Sequence, residues 1–290
     1  MSAAGQPTEL RHVALGVLVF LLPFEFTRVV TDYPGEAGGF SRLVTVGLFD
    51  LALVAFVALA LVSLGSRWNR RIGWGTWLAI GLLVVAVASL PFHGSSRGVA
   101  LALRLVGTVL VAFEIGTLRR RELLHVVIVP LLAAAATQGV MALGQAIGGG
   151  ALGIPGEPAD FGAVAGTVRP AGTTSHPYML ATYCLIAVSA GMLIWRQSTA
   201  RWWLVPLALA AMPIGLSFSR AAVVSVLFAG VGWVIAVVRN PRTYGPPLAA
   251  VLLGIAIPAL LFAPAWLERL EDSTTGSLND ASANRVELTN

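Results

Sequence analysis

The chain has 290 residues, of which 57% are hydrophobic and 11% charged, well below the usual charged share of roughly a quarter. That balance excludes an ordinary soluble domain. The formal net charge of +5 does not point to nucleic acid, because every basic residue is an arginine and most lie in short connections, where arginine sets membrane topology.

Apolar stretches of about 20 residues recur along the whole chain, each long enough for a hydrocarbon core of roughly 30 Å. They are continuously apolar and do not alternate, which argues against a β-barrel. The expected fold is all-α: a polytopic transmembrane helical bundle of about nine spans, forming a single membrane domain over 1–290. The first span is expected at 12–30 and is retained, since no small-residue cleavage site follows it. Glu25 and Arg28 would pair three residues apart on its face. The next spans are expected at 43–64, carrying Asp50, at 74–92, at 99–118, carrying Arg104 and Glu114, and at 123–147. A glycine- and proline-rich loop over 148–175 reads as irregular. Spans follow at 176–195, 202–218, 221–238 and 247–266. The stretch 202–238 reads as two spans of about 17 residues joined by a short turn, which fits the charge alternation better than one bent helix. The polar tail over 267–290 reads as the start of a larger extracytoplasmic loop, incomplete in this chain.

Arginine placement decides the orientation. Arginines 11, 67, 70, 71, 119, 120, 121, 196, 201, 239 and 242 fall on one side, accompanied only by Glu9 and Glu122. The other side collects Asp32, Glu36, Glu157, Asp160, Glu268, Glu271, Asp272, Asp280 and Glu287. The basic side is expected to be cytoplasmic, together with the N-terminus. The protein is then a multi-pass component of the inner or plasma membrane, with the 148–175 loop and the tail outside.

Several residues are candidates for chemistry. Arg220 stands in "PIGLSFSRAAVVSVLF", far in sequence from any acid. The topology puts it at an outer turn, where Ser217 and Ser219 can cap the helix that follows. A cation at a helix N-terminus is locally unfavourable, but sensible where an anion such as phosphate is held. Snorkelling to lipid phosphates is the other reading. In "RPAGTTSHPYML", Arg169, His176 and Tyr178 fall near the same surface. His176 is restricted to an extended backbone by Pro177, which suits a first helical turn. It serves either as a base or phosphate ligand, or as an interfacial polar residue. Glu25, Arg28, Asp50, Arg104 and Glu114 are functional candidates by default or structural ion pairs between helices. The single cysteine, Cys184, lies in an apolar run and cannot form an internal disulfide. No metal-binding or nucleotide-binding motif is present in the sequence, so no metal and no cofactor are expected.

Three elements in order, "RPAGTTSHP" at 169–177, "SFSR" at 217–220 and "SANR" at 282–285, resemble the O-antigen ligase and polymerase family. Its members carry similar R-P-x-G-x-x-x-H-P, S-x-S-R and S-x-x-R elements. The resemblance covers roughly residues 100–290. It implies extracytoplasmic transfer or polymerisation of a glycan from a polyprenyl-diphosphate carrier onto a hydroxyl of an acceptor lipid, glycan or protein. By that carry-over Arg220 and Arg285 clamp the diphosphate, Arg169 lines the same cavity, and His176 belongs to the substrate-binding motif. Guanidinium forks match phosphate oxygens and stabilise leaving-group charge. The chain departs from the family in one respect. The acceptor-activating histidine of the family's outer loop has no counterpart among His12, His93, His125 and His176, so no catalytic residue is assigned and the activity of a chain ending at Asn290 stays open. The intramembrane charges leave a second reading: a transporter or flippase for a lipid-linked or amphipathic solute, although no inverted repeat is evident. A non-catalytic assembly subunit is the third.

Overall fold

A computed structural model describes residues 6–24, 27–31, 44–64, 81, 84, 96–155, 157, 163–164, 167–174, 176–195 and 201–268. The predicted span at 74–92, the "SANR" element with Arg285, and residue Glu25 lie outside this set, apart from helical backbone at 81 and 84. The chain divides into two compact units, one over Met1–Glu36 and Phe40–Leu131, the other over Ala37–Gly39 and Leu132–Asn290.

The first unit begins with α1 (Gln6–Leu21). Its apolar run does not continue as a helix to residue 30. Pro23 lies just beyond the helix end, where proline is common because it cannot extend a helix. The β-branched stretch Thr27–Thr31 then forms strand β1, which suits such residues. β1 pairs antiparallel with β2 (Val44–Gly47), with an irregularity between Val29 and Thr31. Arg28 is thus in a strand and not on the first helix, where pairing with Glu25 was expected. The second apolar run becomes helical only from Leu48, as α2 (Leu48–Leu64). α3 (Ser96–Thr117) follows and packs on α2. Gly107 permits this approach, since a Cβ there would meet the Leu53 side chain at 2.6 Å.

Two ion pairs bridge helices of this unit. The Arg104 guanidinium donates to both carboxylate oxygens of Asp50, at 2.7 and 2.8 Å. Arg11 meets Glu114 at 2.9 Å, and both residues are buried. Arg11 is thus not the loop arginine that its position suggested; it is 2% exposed and neutralises an acid of α3.

Helix α4 (Arg120–Gly148) runs 29 residues. It opens with Glu122 accepting from the Arg119 N–H at 2.7 Å. A widened π-helical stretch over Leu124–Ile128 comes just before Pro130, whose ring would otherwise press on the Val126 carbonyl one turn back.

Among its described residues, the second unit holds the C-terminal part of α4, a two-residue hairpin pair, β3 (Ala163–Val164) with β4 (Thr167–Val168), and four longer helices. These are α5 (Pro177–Ile194), α6 (Leu204–Leu216), α7 (Arg220–Arg239) and α8 (Pro241–Leu261). A further short helical turn covers 263–268. The stretch 202–238 is two helices separated by a break, of which α7 is long enough to cross a membrane.

α6 lies at the centre of the unit, packed by α5 and α8. Small residues let backbones touch. A Cβ on Gly139 would collide with the Leu209 carbonyl, one on Gly254 with the Ala208 carbonyl, and one on Gly215 with the Ile255 carbonyl. Such close backbone approach is how helices associate where burial of apolar surface gives no drive. α7 is the opposite case: Leu227, Phe228, Val231 and Val238 are all exposed. Among the described residues, three helices are long and apolar enough to cross a membrane: Arg120–Gly148, Ala221–Arg239 and Pro241–Leu261.

Candidate functional site

The site is built around the "SFSR" turn. α6 ends at Ser217, whose hydroxyl donates back to the Ile214 carbonyl at 3.1 Å. Phe218 then takes a left-handed backbone, φ 46°, which L-residues avoid at a cost of about 1–2 kcal/mol. Packing holds it there. The ring is fully buried, meets Trp266 edge-on at 5.5 Å, and shares a cluster with Phe262 and Ala265. Trp266 is itself fixed by donating its indole N–H to the Gly215 carbonyl at 2.9 Å. Ser219 returns to extended backbone and caps α7, accepting from the Ala222 N–H at 3.4 Å. The Ser217 hydroxyl also accepts from the Ser219 N–H at 3.3 Å. Ser219 alone caps α7 as expected; Ser217 instead closes α6 and braces the Ser219 N–H, and Arg220 is the first residue of α7.

A second strand of the chain comes to this turn. Arg169 donates through Nε and Nη2 to the Ser217 carbonyl, at 3.4 and 3.3 Å. A cation at the carbonyl end of α6 is electrostatically favourable. The α7 N-terminus, with its partial positive charge, begins three residues further on. The geometry thus gathers a guanidinium, a helix N-terminus and the backbone of Arg220 at one place, from segments 48 residues apart.

The segment carrying Arg169 is held from beneath. Gly172 adopts φ +60°, and a Cβ there would run into the Gln138 amide. The Gly172 N–H donates to Gln145 Oε1 at 2.9 Å, and the Thr173 N–H to Gln138 Oε1 at 3.0 Å. Thr174 donates its hydroxyl to the carbonyls of Ala171 and His176, at 2.8 and 3.0 Å. Glu157 completes the network, accepting from Gln145 Nε2 at 2.8 Å and from the N–H groups of Leu152 and Ile154 at 3.0 and 2.9 Å. Burial alone would raise its carboxyl pKa. The Gln145 amide and the N–H groups of Leu152, Ile154 and Gly153 outweigh that and hold it below the usual carboxylate range.

Of the residues singled out in the sequence, Arg169 and the Arg220 turn are brought together. His176 is exposed at the start of α5, with its ring stacked on Tyr178 at 5.5 Å. Its extended backbone and the Pro177 first turn are as the sequence predicts. Arg285 lies outside the described residues, as does the Arg220 side chain. Sequence reasoning passed over Gln138, Gln145, Phe218 and Trp266. The two glutamines did carry a signal: uncharged amides seven residues apart in an apolar helix share one face. Among the described residues, no group of His, Cys, Asp and Glu could hold a metal ion.

The described residues define a mostly helical protein, three of whose helices are long and apolar enough to cross a membrane, with a guanidinium docked on a helix-to-helix turn. No protein-family model, no curated protein and no solved structure matches the chain.

Proposed function

We propose that the chain is a membrane-embedded glycosyltransferase of the O-antigen ligase type, acting on a glycan carried by a polyprenyl diphosphate. The observation that carries this reading is the docking of Arg169 on the Ser217 carbonyl. It joins two elements that the resemblance assigns to one donor site and that nothing in their sequence spacing requires to meet. In this reading the bundle has about nine spans, the N-terminus is cytoplasmic, and the turn faces the extracytoplasmic side.

The chemistry follows from the residues. The acceptor hydroxyl attacks the anomeric carbon of the donor sugar, the bond to the diphosphate oxygen breaks, and the lipid diphosphate leaves with its electron pair. The hydroxyl proton passes to a base that this reading does not assign. The role of Arg220, with Arg169 and Arg285, is to stabilise the charge growing on the departing diphosphate. A transporter reading has less support. Asp50 with Arg104 and Arg11 with Glu114 form two ion pairs, which suits a structural role better than a solute path.

The test is glycan transfer by the protein in its native membrane, with a polyprenyl-diphosphate glycan as donor. Arg220→Ala is expected to lower transfer by at least about a hundredfold, the usual loss when a group stabilising developing charge is removed. Expression should be unaffected, and Arg220→Lys should recover only part of the rate. Unchanged transfer by Arg220→Ala would remove the donor-site role.

A further inference from the structure

Gln138 and Gln145 are both fully buried in the apolar face of α4, two helical turns apart. Burial of an amide is costly unless its donors and acceptors are matched, and here each amide oxygen accepts a backbone N–H of one short segment. Gln138 accepts from the Thr173 N–H at 3.0 Å and donates to the Thr173 hydroxyl at 2.5 Å. Gln145 accepts from the Gly172 N–H at 2.9 Å and donates to the Gly172 carbonyl and to Glu157, both at 2.8 Å. Two successive residues are thus fixed by two reciprocal amide contacts, three positions after Arg169.

Shape complementarity at Gly172 adds to this. Its positive φ and the Gln138 amide against its α-carbon leave no room for another residue. Leucine in place of either glutamine would fill the volume equally well in an apolar helix. What the amides supply beyond packing is a defined path for residues 169–174, and that path ends with the Arg169 guanidinium on the Ser217 carbonyl.

We propose that Gln138 and Gln145 are positioning residues for anion binding. They set the 169–174 segment so that Arg169 is presented beside the α7 N-terminus to the diphosphate of a polyprenyl carrier. This inference rests on the donor-site reading above and adds to it the source of the site's rigidity, which lies in α4 and not in the arginine-bearing segments.

The experiment uses the full chain in lipid nanodiscs. The probes are a long-chain polyprenyl diphosphate and the corresponding polyprenol, with hydrogen exchange measured at residues 169–174. Gln138→Leu and Gln145→Leu should each weaken diphosphate binding by about tenfold, the size of one misplaced charged hydrogen bond. Polyprenol binding should not change, which a general loss of structure would not spare. Exchange at the Gly172 and Thr173 amides should quicken while α5 and α6 stay protected. Thr173→Ala, which removes only the hydroxyl partner of Gln138, is the milder variant and should show a smaller effect of the same kind. Gln145→Glu sets two carboxylates against each other, and the double variant Gln145→Glu, Glu157→Gln should recover part of its loss. Faster exchange with unchanged diphosphate affinity would overturn the positioning role. If the unaltered protein does not prefer the diphosphate, or Arg169→Ala binds it as well as the unaltered protein does, the donor-site reading fails and this inference with it.

Discussion

Phe218 is the residue on which the candidate site turns. It pays backbone strain so that one peptide unit can reverse direction between α6 and α7. Its ring recovers that cost against Trp266, Phe262 and Ala265. Removing the ring should cost about 3–5 kcal/mol, as for other buried phenylalanines. Glycine normally weakens a folded chain relative to alanine, by roughly 0.5–1 kcal/mol. At this position the order should reverse, because glycine alone is at ease with φ 46°. Thermal unfolding in detergent is expected to place Phe218→Gly at or above Phe218→Ala; a clearly less stable glycine variant would contradict the strain argument. Glu157 allows a second test at this scale. Its carboxyl pKa is lowered in the folded protein, so its stabilising contribution is present above the ordinary carboxylate range. That contribution begins to fall as pH enters that range and is lost once pH passes below the lowered folded value. Proteolysis of the 150–157 segment should therefore accelerate on acidification in the unaltered protein. In Glu157→Gln it should be faster at neutral pH and nearly independent of pH. None of this strain was legible in the sequence, since nothing about a phenylalanine between two serines announces a left-handed backbone. The Ser219 cap was legible, because cap chemistry is local; the role of Ser217 at the end of α6 was not.

Helix contacts account for which elements could be read from the sequence and which could not. Continuous apolar runs located α3 to α7 closely, because a single helix satisfies its own backbone and needs no partner to be recognised; α8 was expected at 247–266 but starts at Pro241, within the stretch read as a basic connection, and ends at Leu261. The run at 12–30 misled for the same reason. Apolar content does not distinguish helix from strand, and the TRVVT stretch pairs with a strand whose register depends on the fold. Charges within the apolar helices were identifiable as ion-pair candidates, but their partners were not. Arg104 reaches Asp50, 54 residues away, and Glu114 reaches an arginine that looked like a loop residue. Glycines divide in a similar way. Gly139 and Gly254 sit against backbone carbonyls of α6, whereas Gly230 and Gly232 on α7 have nothing within 4 Å. Alanine at Gly139 or Gly254 should force α6 away and destabilise by roughly 1–3 kcal/mol. Alanine at Gly230 or Gly232 should be neutral or stabilise by up to about 1 kcal/mol through helix propensity. Melting of the four variants in one detergent compares them, and equal effects at both pairs would contradict the backbone contacts.

At the scale of the whole molecule, the proposed donor site lies where the chain reverses between α6 and α7, with Arg169 docked there from a distant segment. The sequence made that site partly legible, because the arginines fell in a recognisable order. It did not disclose the supporting layer of Gln138, Gln145 and Trp266, whose side chains find partners 12 to 51 residues away. Such pairings exist only once the helices have packed. The most direct measurement is photolabelling of the intact protein, in its native membrane, with a polyprenyl-diphosphate glycan carrying a photoreactive group next to the diphosphate. The account predicts covalent label on peptides containing 169–174 and 217–222, competed by unlabelled polyprenyl diphosphate and not by polyprenol. Competed label confined to α1, α2 and α3, with both of those peptides unmodified, would contradict it.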